Sequence, residues 1–65
     1  MKAHELRVVD EKQELDQKLA LLDVFRKTET FKSLPDRDRS LLHQQASAMA
    51  LYSFLLGERI ATFTA

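Results

Sequence analysis

Apolar side chains recur along the first part of the chain at the spacing of an α-helix. Between about residues 3 and 27 there is no Gly or Pro, and Glu, Lys, Gln, Leu and Ala, all good helix formers, dominate. With residues placed about 100° apart around an axis, Val8, Leu15, Leu19 and Leu22 fall in one narrow stripe, which predicts an amphipathic helix. Lys12 and Arg26 fall on the same stripe and interrupt it. Leu21, Val24 and Phe25 widen the apolar surface beyond one face, so this end of the helix is expected to meet more than one neighbour.

The helical pattern stops at residues 28 to 34 and restarts after them. Pro35 cannot lie inside a helix without losing a backbone hydrogen bond, but it fits the first turn of a new one, so the chain is expected to fold back here. Thr28 is suited to cap a single helical turn through Phe31. Ser33 with Asp36 three residues later resembles a capping box with Asp in place of Glu, and Asp36 and Asp38 suit the positive end of a helix dipole.

From about residue 35 to about residue 63 the pattern predicts a second helix with two apolar faces. Leu41, Leu42, Met49, Tyr52, Leu55, Leu56, Ile60 and Phe63 form a broad bulky face, and Ala46, Ala50, Ser53, Gly57 and Ala61 are expected nearly opposite. A Gly in a helix interior costs about 1 kcal/mol relative to Ala unless close contact offsets it. Two buried faces require two partners. The first helix can cover one, and a second copy of the chain is expected on the other.

Composition strengthens the case for assembly. A chain of 65 residues removes only about 60% of its unfolded surface from water and needs a further source of stability. It has no Cys for disulfides, and its two His residues lack partners at metal-ligand spacing, so association of copies is the source that remains. Lys plus Arg is 10 and Asp plus Glu is 10, balanced on both sides of the hinge, which argues against long nucleic acid as a partner. Residues 40 to 57 carry no formal charge, yet Ser40, His43, Gln44, Gln45, Ser47 and Ser53 make them too polar to span a bilayer. The chain shows no signal-peptide pattern, internal repeat or low-complexity segment.

Candidate chemistry is sparse. Catalysis needs a nucleophile, a base and a group that orients it, and no such set stands out, so the chain is not expected to be an enzyme. His4 and His43 read as ordinary polar or interface residues. Asp10, Glu11, Glu14 and Asp16 spread around the solvent side of the first helix, and no metal or cofactor is expected. Lys12 can pack its stem and hold its ammonium in water, or contact an anion in a groove between subunits. Arg26 and Lys27 suit the negative end of the helix dipole, but with Thr28, Thr30 and Lys32 they also place cations and hydroxyls where a phosphate can be held. Arg59 can pair with Glu58, pair with a first-helix carboxylate, or contact a ligand.

Read in order, Arg7-Val8-Val9-Asp10-Glu11-Lys12-Gln13-Glu14-Leu15, Lys18-Leu19, Leu22, Phe25 to Thr30, Phe31-Lys32-Ser33-Leu34, Leu41-Leu42 to Gln45, Met49, Tyr52 and Arg59-Ile60 resemble the small phage helical-hairpin proteins that act as anti-CBASS sponges for cyclic oligonucleotides, a hairpin that also occurs in anti-Thoeris sponges. The resemblance covers about residues 5 to 63. It implies a phage protein in the cytoplasm of the infected bacterial host that binds cyclic di- and trinucleotide messengers without cleaving them. It also implies compact hexamers with pockets between subunits, where two-fold and three-fold axes repeat each basic side chain. Carried over, the dinucleotide pocket takes Lys12, just after the Arg-x-x-x-Glu pattern, and Lys27, with Arg26 as the neighbouring alternative. The trinucleotide pocket takes Gln13, Thr28, Thr30 and Arg59, with Glu29 as a hinge alternative. Several relatives carry an aromatic residue where this chain has Lys12, which exchanges a stacking surface for a charge.

The expected structure is therefore all-α. It is a single domain over 1–65, an antiparallel two-helix hairpin with a short helical turn at the hinge, assembling into a homo-oligomer of hexameric order. A reading of another class is a small helical adaptor or inhibitor that binds a host protein, in which Lys12 is a surface residue only.

Overall fold

The computed structural model describes residues 1–63 and is helical throughout its regular structure: α1 spans Ala3–Phe25, α2 Glu29–Lys32 and α3 Asp36–Ala61. The two long helices pack side by side in a rod of 48 × 14 × 13 Å. Contacts of Lys12 with Ser53 and of Arg26 with His43 fix their antiparallel sense.

The residues turned inward on α1 are Glu5, Val8, Lys12, Leu15, Leu19, Leu22 and Arg26, alternating steps of three and four. On α3 they are Arg39, Leu42, Ala46, Met49, Ser53, Leu56 and Ile60, continued past its end by Phe63, with the same alternation. This is the spacing of a coiled-coil seam, which keeps one line of each helix facing its partner. Val8, Ala46 and Leu56 are its buried apolar residues, and Leu56 is completely enclosed. The seam corrects the expected division of α3 into opposite bulky and small faces. Ala46 and Ser53 stand beside Leu42, Met49, Leu56 and Ile60 on the line that meets α1, because the two sets adjoin around the helix. Leu41, Tyr52 and Leu55, assigned to the bulky face, are exposed instead.

The hinge is built as two tight reversals. α1 ends two residues earlier than its pattern suggested, with Arg26 as its C-cap. The Thr28 hydroxyl accepts from the Phe31 amide at 3.2 Å and donates to the Phe25 carbonyl at 2.7 Å, so one side chain closes α1 and opens α2. Phe31 is buried with its ring edge-on to Phe25 at 6.0 Å and to His43 at 5.1 Å, which pins the short α2 against both long helices. The Ser33–Asp36 capping box does not form. Pro35 itself occupies the N-cap position of α3, leaving Asp36 one residue inside the helix, too early to bond back, and the Ser33 hydroxyl turns to the Thr30 carbonyl at 2.7 Å.

Large apolar side chains outside the seam stay in solvent. Leu21, Val24, Leu51 and Phe54 are 72, 63, 59 and 60% exposed. No described helix is long and apolar enough to cross a membrane.

Two substitutions test this packing. Leu56→Ala should cost about 2–5 kcal/mol of unfolding free energy, because the enclosed site cannot collapse fully, and Thr28→Ala about 1 kcal/mol, through loss of the cap. Both are read from denaturant midpoints. A Leu56→Ala loss below about 0.5 kcal/mol, the scale of a surface substitution, would contradict the seam.

Candidate functional site

Charged and polar residues gather at two places along the rod. The first lies inside the seam. Lys12, one of the inward positions of α1, sends its Nζ to Asp16 Oδ2 at 2.8 Å and to Ser53 Oγ of α3 at 2.9 Å. Ser53 in turn donates to the other carboxylate oxygen of Asp16, which closes a three-residue ring across the two helices. The Lys12 ammonium carries three donors, and these contacts use two. Hydrogen bonds from Lys12 and then Ser53 hold the Asp16 carboxyl below its usual range, because both favour the ionised form.

Gly57 belongs to the same place. A Cβ on Gly57 would lie 3.3 Å from Lys12 Cε, so the glycine leaves room for the lysine stem. Its closest demand is thus within the hairpin, which corrects its expected place on a face reserved for a second copy. Beside it, the Tyr52 hydroxyl donates to Glu11, and this bond to a carboxylate is the main reason its phenol is pushed above its usual range. Sequence reasoning placed Asp16 on the solvated side and treated Ser53 as a small residue. Their partnership joins positions 37 residues apart, which no local pattern reveals.

The second place is the hinge end. Asp23 of α1, Arg26 and Lys27 at and just beyond its C-cap, and His43 of α3 line an open cavity of about 370 Å³. The Arg26 guanidinium donates through Nη2 to Asp23 Oδ1 at 2.5 Å and approaches His43 Nδ1 through Nη1 at 2.9 Å. Guanidinium is only a donor, so His43 accepts at Nδ1 and carries its proton on Nε2. Arg26 Nε is buried without a hydrogen-bond partner among the described residues. Lys27 is exposed at the cavity edge and forms no ion pair among those residues. The cavity thus presents one partly neutralised cation and one free cation.

The remaining candidates are dispersed. Gln13 is exposed on α1. Thr30 is exposed on α2, beside Glu29, whose carboxylate holds Lys32 at 3.2 Å. The Thr28 hydroxyl is already engaged as donor and acceptor. Arg59 is exposed in the last turn of α3 and has no ion-pair partner among the described residues. At about 1.5 Å per residue, Arg59 lies roughly 24 Å along α3 from His43, and Lys12 roughly 22 Å along α1 from Lys27. No single chain brings either set together. A pocket that uses Lys12 with Lys27, or the hinge threonines with Arg59, has to draw them from different copies. Among the described residues no three His, Asp or Glu side chains are gathered as a metal would require.

The family model described as Sequestin matches residues 2–62, nearly the whole of the described chain. No curated protein and no solved structure matches it.

The Asp16 ring supplies a pH test. A carboxyl held below its unfolded value contributes stability above the ordinary carboxylate range and loses it as pH falls through the folded value. Asp16 should therefore titrate below the ordinary aspartate value of 3.8 in a carboxyl-detected NMR titration, and Asp16→Asn should flatten the acid limb of the stability curve. A titration midpoint at or above 3.8 would contradict the ring.

Proposed function

The chain belongs to the Sequestin family, and we propose from that premise that it is a sequestering protein: a non-enzymatic sponge that binds cyclic di- and trinucleotide messengers of bacterial CBASS-type immunity and keeps them from their effectors. The match over residues 2–62 carries the reading, since the name describes capture of a ligand. In this reading it is a phage protein acting in the cytoplasm of the infected host.

The hinge cavity supports an anionic ligand. Arg26 reaches it with a guanidinium oriented by Asp23 and His43, and Lys27 brings an exposed ammonium that forms no ion pair among the described residues. Charge-assisted hydrogen bonds from such groups to phosphate are roughly twice as strong as neutral ones. Assembly supplies what one chain lacks. The exposed Leu21, Val24, Leu51 and Phe54 offer apolar surface to neighbouring copies, and a symmetric oligomer, a hexamer in this reading, presents each cation more than once to a ring of phosphates.

The contacts of the basic residues support an order among them. Lys12 is engaged by Asp16 and Ser53, so a phosphate would have to use its third donor beside a carboxylate. Lys27 has no ion pair to give up among the described residues. Isothermal titration calorimetry with a panel of cyclic di- and trinucleotides tests this order. Lys27→Ala should weaken dinucleotide binding about tenfold or more, the scale of one charge-assisted hydrogen bond, and Lys12→Met should weaken it less. The ligand recovered after denaturing the complex should be chemically intact. Absence of binding to every cyclic nucleotide would defeat the sponge reading and favour an adaptor that binds protein through its exposed apolar residues.

A further inference from the structure

The contact between Arg26 and His43 holds only for one charge state of the imidazole. Arg26 Nη1 lies 2.9 Å from His43 Nδ1, and a guanidinium can only donate, so the nitrogen that faces it is unprotonated. The ring is held there by Phe31, whose edge-on contact at 5.1 Å fixes its plane. Around it stand Asp23 on α1, Arg26 at its C-cap, Lys27 just beyond, and Arg39, paired with Asp36, one turn earlier on α3, while α2 offers the apolar ring of Phe31. The cavity lining carries formal charges of one carboxylate and two cations while His43 is neutral.

We propose that His43 is a proton-linked partner in ligand capture: a phosphate entering the cavity takes over the Arg26 guanidinium, and the released imidazole binds a proton at Nδ1 and turns cationic toward the same anion. The inference rests on the reading of the hinge cavity as a phosphate site. The exchange balances without a covalent step, since the phosphate replaces His43 as acceptor for Arg26 and solvent supplies the proton. The bound cavity then sets three cations and one carboxylate against the ligand. His43 thereby gains a role in affinity that neither its isolated position in the sequence nor its exposure announced.

Binding should accordingly strengthen as pH falls across the near-neutral range in which imidazoles change charge. Calorimetric titration with a cyclic dinucleotide of adenosine between about pH 8 and about pH 5.5 covers that range, and the steepest part should approach about tenfold per pH unit, the slope of one linked proton. His43→Asn keeps a neutral acceptor near the position of Nδ1 but cannot take up the proton, so its binding should show little pH dependence. NMR titration of the His43 ring in the parental protein, free and ligand-bound, reads the same proton without a substitution and covers failure of the variant to fold. Protonation should occur at higher pH in the complex. Tight but pH-independent binding, a pH dependence preserved in His43→Asn, or an unmoved His43 titration would overturn the inference and leave the sponge reading standing. Absence of dinucleotide binding at every pH would remove both.

Discussion

Two helices can bury only the stripe that each turns toward the other, and the arrangement of this chain follows from that limit. α1 and α3 meet along one seam with coiled-coil spacing, and of the large apolar side chains only Leu56 is fully enclosed there. Leu21, Val24, Leu51 and Phe54 lie off the seam and stay in solvent. The same limit sends polar residues inward: Lys12 and Ser53 take seam positions and are accommodated because Asp16 joins them in a closed ring and Gly57 makes room for the lysine stem. A polar layer of this kind fixes the register of two helices whose apolar residues alone tolerate sliding.

The hinge solves a different problem with equally few residues. Thr28 satisfies backbone groups of both flanking helices, Phe31 fills the space between them, and Pro35 sets the start of α3. This holds Arg26 at the end of α1 opposite His43 of α3, so the turn that closes the hairpin also builds a cavity lined by two cations. Fold and candidate site are here the same few residues.

The helices and the hinge were legible in the sequence because a period of three to four and a single proline are local signals. Val8, Leu15, Leu19 and Leu22 were placed correctly on the seam, and so were its interruptions, Lys12 and Arg26. The faces of α3 were not. Sorting residues by size separated Ala46 and Ser53 from Leu42, Met49 and Leu56, whereas a seam alternates large and small to let the helices approach. Asp16 and His43 are exposed, in line with a solvated and a polar or interface reading, but their contacts with Ser53 and Arg26 on the other helix were not foreseen, and Ser33 was read as a cap because Pro35 was expected inside α3. The Asp16–Ser53 and Arg26–His43 pairings cross the hairpin and leave no trace in a local window.

Under the proposed function the chain assembles, its cations act from several copies together, and the ligand is held unaltered. Native mass spectrometry of the protein with a cyclic dinucleotide addresses all three in one spectrum. The expected result is a homo-oligomer that binds fewer ligands than it has chains, each leaving at its original mass when the complex is activated. A monomer, one ligand per isolated chain, or ligand of altered mass would contradict it.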